Sequence, residues 1–97
     1  MPHMNIVKFH VNPDNIDNFL DAFENATLNQ GQISGQLVQI AENKFCSIGL
    51  WESQSAMDEA MDDMISFLDT IRHMLITISE ELGVTDPASG PVLIEHN

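Results

Sequence analysis

The chain has 97 residues, which is enough for one small domain with a single core. Its 15 Asp and Glu residues against 3 Lys and Arg give a formal net charge of −12. A field of that sign repels nucleic acids and anionic membranes, so neither is expected as a partner. The single cysteine, Cys46, excludes an intramolecular disulfide framework. No leader pattern and no apolar run of roughly 18 residues occurs, so we expect a cytoplasmic domain.

The start of the chain predicts a strand followed by a helix. Residues 1–4 precede the first patterned residue and are expected to be a frayed start or an expression remnant. Alternation of apolar and polar residues predicts a strand over Asn5–Val11. Asn12 then offers a helix N-cap and Pro13 suits the first helical position. We expect this helix to end near Ala26.

The middle of the chain predicts a β-hairpin. Ile33–Ile40 has the composition of a strand that is weakened by Gly35. A turn follows at Glu42–Asn43, because Asn tolerates the left-handed conformation. Lys44–Trp51 returns as the third strand, which should pair with the second.

The second half predicts a long helix. Ser55 and Asp58 have the spacing of a capping box. Behind them, apolar residues spaced alternately four and three apart predict helix as far as Leu82. Because such a helix exceeds the ~20 Å strands that it would cover, we expect a bend or a second helix after Asp62.

The segment Leu82–Val92, which reads LGVTDPASGPV, predicts a rigid joint before a last strand over Pro91–His96. Gly83 suits a helix C-cap, and its neighbours Asp86 and Pro87 can form a turn. A strand that begins with proline is tolerated at the edge of a sheet.

The resulting order, β-α-β-β-α-β, is typical of an α+β, ferredoxin-like fold with a four-stranded antiparallel sheet in the order four-one-three-two. Strands one, three and four carry apolar residues on both faces, whereas helices can cover only one face. We therefore expect a homodimer that forms through the open sheet face. The alternative is a monomer with a few exposed apolar side chains.

Two segments carry a resemblance to a known family: GLWESQSAM at Gly49–Met57 and LDTIRHML…LGVTDPASGPV within Leu68–Val92. They resemble the antibiotic biosynthesis monooxygenase-like family of dimeric α+β barrels, and the element order extends the resemblance over nearly the whole single domain, residues 1–97. The resemblance implies a barrel shared by two subunits and a pocket between helices and sheet. Some members oxidise aromatic polyketides with molecular oxygen, so no cofactor is implied.

The resemblance also implies site residues. Trp51 stands where the family has its pocket Trp, and Ser47 stands where those oxidases have Asn. Met57 occupies the position of their Tyr, and the chain contains no Tyr at all. The family's helix Arg falls near Arg72.

Arg72, Trp51 and His73 are the candidate catalytic residues. Arg72 is the only arginine, and its guanidinium needs a partner, for which Asp69 and Asp86 are the alternatives. A structural ion pair is the alternative to a role in anion stabilisation. An imidazole can transfer protons near neutral pH, which favours His73 for that step. A core Trp and a surface His are the corresponding structural alternatives.

The predicted substrate-binding set combines a hydroxyl, two thioethers and a carboxylate: Ser47, Met57, Met61 and Asp86. Flexible thioethers line apolar pockets as well as cores, so the methionines indicate a small apolar or aromatic ligand or simple core packing. His10, His73 and His96 do not converge in the expected topology, and we expect no metal site.

The leading hypothesis is a cofactor-independent monooxygenase that acts on a small aromatic or quinol-like substrate. Trp51 and the methionines would hold the ring, Ser47 would bond a carbonyl, and Arg72 would steady the developing anion. The alternative is a non-catalytic ligand-binding or stress-associated dimer. Haem degradation is less supported, because relatives with that activity have a strand-one Asn where Val7 falls nearest.

Overall fold

The computed structural model describes residues 1–96. Its regular elements are strand β1 (His3–His10), helix α1 (Ile16–Asn25), strands β2 (Gln32–Ala41) and β3 (Lys44–Trp51), helices α2 (Gln54–Glu59) and α3 (Met61–Ile71), and strand β4 (Thr85–Pro91). A short 3₁₀ turn precedes α1 at Pro13–Asn15, and another follows α3 at Arg72–Met74.

The first strand and helix agree with the prediction except at the N-terminus. β1 begins two residues earlier than expected, because His3 is paired opposite Trp51 on one side and Pro91 on the other. Residues 3 and 4 therefore belong to the sheet, and the expected frayed start does not extend to them. Asn12 caps the following turn, where its Oδ1 accepts a hydrogen bond from the Asp14 amide at 3.0 Å.

The hairpin between β2 and β3 is confirmed. Asn43 adopts the left-handed conformation predicted for the turn, with φ of 60°. The register places Gly35 opposite Gly49 and Leu37 opposite Ser47. Gly35, Leu37, Ser47 and Gly49 therefore lie on one face of the sheet, where the two glycines face each other.

The predicted long helix begins with a different cap and divides earlier than expected. The Oγ of Ser53 accepts a hydrogen bond from the Ala56 amide at 3.1 Å, so the capping box predicted at Ser55 is wrong. Ser53 has an extended backbone, which lets its hydroxyl reach the free amides of the first turn of α2. Ala60 separates α2 from α3, two residues before Asp62 rather than after it.

Helical structure ends at Met74 although the apolar spacing continues to Leu82. The backbone there pairs with the end of β1 instead: the Asn12 amide donates to the Met74 carbonyl at 2.9 Å, and the Ile76 amide to the His10 carbonyl at 2.8 Å. These long-range bonds replace the intrahelical ones, so the predicted helix over residues 75–82 is wrong.

The segment LGVTDPASGPV contains the last strand rather than a joint. β4 pairs antiparallel with β1, with Pro87 opposite Val7, and the sheet order β2-β3-β1-β4 places β4 at an edge as predicted. An edge strand tolerates proline because one side of its backbone has no strand neighbour. The predicted strand Pro91–His96 is therefore wrong, and Gly83 closes a turn with Ser79 rather than capping a helix.

The helices cover one face of the sheet, where two apolar clusters form the core. The larger contains Phe9, Val11, Phe19, Phe45 and Ile71, and the smaller contains Trp51, Met57 and Ala60. Phe9 and Phe19 pack edge to face, with ring centroids 5.5 Å apart. None of the helices described in residues 1–96 is long and apolar enough to cross a membrane.

The opposite face of the sheet is apolar along the central strands. Register places Ile6 beside Ile48 and Met4 beside Leu50 on that face, since side chains alternate along each strand. Val38 of β2 extends the patch and is 41% exposed. We call this patch the open face.

Candidate functional site

A cavity of about 990 Å³ lies between the helices and the sheet. The sheet contributes Asn5, Ser47, Gly49 and Trp51, whereas the helices contribute methionine and phenylalanine side chains: Met57, Met61, Met64, Phe23 and Phe67. The volume is at the upper end of the ~300–1,000 Å³ typical of small-molecule sites. Its lining is largely apolar with a few polar side chains on the sheet.

Trp51 and Asn5 are joined by a hydrogen bond at the sheet side of this cavity. The Trp51 Nε1 donates to the Asn5 Oδ1 at 2.7 Å, and Trp51 is 1% exposed. Asn5 pairs with Gly49, two residues before Trp51 on β3, so the two side chains are diagonal neighbours on the same face. The bond satisfies a buried indole N–H and fixes the orientation of the ring.

Gly49 provides the space for this bond. A Cβ atom at Gly49 would overlap the Asn5 Oδ1 and lie 3.0 Å from the Trp51 Nε1. Within residues 1–96 the Asn5 Nδ2 makes no hydrogen bond, and Asn5 is one of the residues that line the cavity.

A second amide lies beside the Asn5–Trp51 pair. The Gln32 Oε1 accepts hydrogen bonds from the Asn29 backbone amide at 3.1 Å and from its Nδ2 at 3.2 Å. The Gln32 Nε2 donates to the Ser34 carbonyl at 3.1 Å and would lie 3.4 Å from a Cβ at Gly49. The carboxamides of Asn5 and Gln32 therefore both lie close to Gly49 and place polar groups in a largely apolar cavity.

Four of the predicted site residues line the cavity: Trp51, Ser47, Met57 and Met61. Ser47 and Trp51 share the cavity face because they are an even number of residues apart on β3. Met57 is 5% exposed and also packs in the core cluster with Trp51. This methionine is therefore both a core residue and part of the cavity lining.

Three other predicted residues do not line the cavity: Arg72, His73 and Asp86. The Arg72 Nε donates to the Asp69 Oδ1 at 2.8 Å, and the two side chains are 43% and 62% exposed. Asp69 is therefore the ion-pair partner, and the alternative partner Asp86 is wrong. His73 is exposed in the 3₁₀ turn after α3. The catalytic roles of Arg72 and His73 gain no support from this geometry.

Asp86 lies on β4 opposite Lys8 of β1. Alternation along β4 directs Thr85, Pro87 and Ser89 toward the cavity face and Asp86 away from it. The predicted contribution of its side chain to the cavity is therefore wrong.

The sequence interpretation missed Asn5, Gln32 and Gly49. The alternation predicts Asn5 only as the first residue of a strand, although Asn5 continues the strand face of Val7 and Phe9 that the helices cover. A polar side chain on such a face is the signal that marks it. Its pairing with Trp51 depends on the β1–β3 register, which no local pattern specifies.

The described residues 1–96 contain no group of three or more His, Cys, Asp or Glu side chains placed to hold a metal ion. Asp63 is the one ionisable side chain among the described residues that line the cavity. Polar contacts in the cavity therefore come mainly from neutral amides and hydroxyls.

No family model and no curated protein matches the sequence. Solved structures nevertheless match the fold. A candidate antibiotic biosynthesis monooxygenase from Chloroflexus aurantiacus is 12% identical with a TM-score of 0.75, and the match covers 100% of this chain and 98% of that chain. A dimeric ferredoxin-like protein from an uncultured marine organism is 11% identical with a TM-score of 0.74, covering 99% and 91%.

A third match is a mutant of SnoaB, a cofactor-independent oxygenase from Streptomyces nogalater. It is 10% identical with a TM-score of 0.64, and the match covers 97% of this chain and 95% of that chain. The chain thus has the ferredoxin-like α+β fold of antibiotic biosynthesis monooxygenase-like proteins, as predicted. At these identities the similarity establishes the fold alone.

Proposed function

We propose that this protein is a cofactor-independent monooxygenase that oxidises a small aromatic or quinol-like molecule in the cavity described above. The observation that carries the proposal is the hydrogen-bonded Asn5–Trp51 pair inside an apolar cavity of about 990 Å³. Two proteins of the same fold are named as an oxygenase and a candidate monooxygenase, which supports the reaction class.

Binding of an aromatic ring follows from the cavity lining. Met61 and Met64 present flexible thioethers, which adapt to planar ligands. The buried Trp51 and Met57 support the cavity wall behind them, and the Trp51 hydrogen bond orients Asn5. Contact with the helices on one side and the sheet on the other would remove part of the ring surface from water. This gain in apolar burial would drive binding.

Stabilisation of an anion is the chemical task of such a site. A substrate with an acidic ring CH2 group gives up one proton to solvent water and becomes an electron-rich anion that reacts with molecular oxygen. One oxygen atom becomes a ring carbonyl and the other leaves as water, so the substrate itself supplies the electrons and hydrogens. The protein must orient the ring and stabilise the negative oxygen. The free Nδ2 of Asn5 and the Ser47 hydroxyl are the proposed donors to that oxygen. They take the role predicted for Arg72, which lies outside the cavity lining.

The proposed working form is a homodimer in the cytoplasm. Ile6, Ile48 and Val38 give the open face an apolar patch, and one solved protein of this fold is a dimer. We expect light scattering at micromolar concentration to show a dimer and Ile48→Asp to convert it to monomer. A native protein that remains monomeric would contradict this assembly.

A non-catalytic ligand-binding dimer, acting for example under stress, is the second candidate. It is favoured because no His, Lys or Arg among residues 1–96 lines the cavity and the chain contains no Tyr. Such a site lacks the usual side chains for proton transfer at neutral pH. It could bind an aromatic molecule without converting it.

Oxygen uptake distinguishes the two candidates. Native protein is incubated with a panel of anthrones and quinols, and uptake is compared with the rate without protein. We expect catalysed uptake that falls in Trp51→Phe and Asn5→Ala. The control is Asn25→Ala, because Asn25 also lines the cavity but its amide donates to the Asp21 carbonyl at 2.9 Å. Ligand binding without any catalysed uptake would establish the second candidate instead.

A further inference from the structure

The charge of the side chains that line the cavity determines whether charged or uncharged ligands bind there. This inference rests on the proposed function, which makes the cavity the ligand site. Asp63 is the sole ionisable side chain that lines the cavity within the described part of the chain. Asp63 is exposed, whereas Asn5, Gln32 and Ser47 are half-buried, so the carboxylate lies nearer to solvent, at the rim, than these neutral polar groups.

The three cationic side chains of the chain lie elsewhere. Lys8 is exposed and alternates with Val7 and Phe9 on β1, which places it on the sheet face away from the cavity. Lys44 is exposed at the start of β3, and Arg72 is paired with Asp69. None of them offers a countercharge to a ligand in the cavity.

The interior polar groups fit uncharged oxygen atoms. Carboxamides and hydroxyls, including those of Asn5, Gln32 and Ser47, donate to carbonyls and exchange hydrogen bonds with hydroxyls. A carboxylate, sulfonate or phosphate on the ligand would lose its hydration without gaining an opposite charge, which is costly in an apolar site. The formal net charge of −12 adds a repulsive field outside the cavity.

We infer that the cavity binds uncharged aromatic molecules and rejects their anionic analogues. Substrates of this site thus enter without carboxylate, sulfonate or phosphate groups. The discrimination has two sources: the missing countercharge inside the cavity and the Asp63 carboxylate at its rim.

Quenching of Trp51 fluorescence tests this inference, because Trp51 is the only tryptophan and lines the cavity. The probes are a hydroxymethyl anthraquinone and the anthraquinone sulfonate substituted at the same carbon. At low ionic strength we expect the Kd of the sulfonate to be about tenfold higher than the Kd of the hydroxymethyl compound. The ratio of these two Kd values should decrease as salt screens the charge of Asp63 at the rim.

A matched pair of variants assigns the effect to the cavity. Asp62 and Asp63 both lie in the first turn of α3, where each complements the positive helix end, but only Asp63 lines the cavity. Asp63→Asn should therefore narrow the ratio of the two Kd values by about threefold. Asp62→Asn, with the same change of net charge, should leave the ratio unchanged.

The inference would be overturned if native protein bound the sulfonate as tightly as the hydroxymethyl compound or more tightly. It would also be overturned if Asp62→Asn and Asp63→Asn lowered the ratio of the two Kd values equally. Absence of quenching by both probes would overturn it together with the ligand site. Selective binding of the neutral probe without catalysed oxygen uptake on any substrate would leave the inference standing and refute only the proposed catalysis.

Discussion

The substitution Gly49→Ala tests how the cavity is built. A methyl group at this position would occupy the place of the Asn5 Oδ1 and crowd the Trp51 Nε1. The Asn5 side chain would have to move away from the new methyl group, which disturbs its 2.7 Å hydrogen bond with Trp51. The variant should therefore separate Asn5 from Trp51 and leave a buried indole N–H without a partner.

The expected loss of stability follows from the lost hydrogen bond. A buried donor that loses its partner destabilises a protein by about 1–3 kcal/mol. For a domain of 97 residues, about 2 kcal/mol corresponds to a Tm lower by about 8–16 °C. Asn5→Ala removes the acceptor without the steric overlap and should give the hydrogen-bond loss alone. Any additional loss of unfolding free energy in Gly49→Ala, compared with Asn5→Ala, measures the steric overlap of the new methyl group.

Gly90→Ala is the matched control. Gly90 also lies in a strand, but a Cβ atom there would have no atom within 4 Å. We expect its free energy of unfolding to stay within about 0.5 kcal/mol of the native value.

Urea unfolding followed by Trp51 fluorescence measures these variants, and the emission maximum of the folded state reports the surroundings of the indole. Gly49→Ala should unfold at lower urea with a shifted emission maximum. Native stability together with an unshifted maximum would refute the proposed role of Gly49 and the importance of the Asn5–Trp51 bond.

Three further predictions concern the helices and the core. Ser53→Ala should lower the free energy of unfolding by about 1 kcal/mol through loss of the α2 cap, whereas Ser55→Ala should not; equal losses in urea unfolding would contradict this cap. Arg72→Ala should cost less than about 1 kcal/mol and leave aromatic-ligand affinity unchanged, since its ion pair with Asp69 is exposed; a weaker Kd would place Arg72 in the site. Phe19→Ala should cost about 3–5 kcal/mol because Phe19 is fully buried, and a loss below 1 kcal/mol in the same assay would contradict its packing.

Sequence patterns that span only a few residues predicted the caps and turns correctly in two places. The Asn12–Pro13 cap and the Asn43 turn depend on the conformational preferences of single residues, and both are found where they were predicted. The family resemblance implied Ser47 and Trp51 as site residues, and both line the cavity. Half of the sheet side of the site could therefore be predicted.

The prediction was wrong where local sequence patterns compete with strand pairing between distant parts of the chain. The apolar spacing continues to Leu82, but Met74 and Ile76 bond to the end of β1 and helical structure stops. Likewise, the prolines and glycines after Val84 indicate turns when considered locally, yet the residues form β4 because β1 offers an unpaired edge. The predicted partnership of Asp86 with Arg72 failed for the same reason.

The sequence by itself determined the order of strands and helices and the acidic charge, because these follow from composition and from contacts a few residues apart. Tertiary structure alone decided that Asn5 meets Trp51 over Gly49 and that Arg72 remains on the surface. The physical reason is register: one residue of slip between β1 and β3 would turn Asn5 to the opposite face, and no local preference encodes that choice.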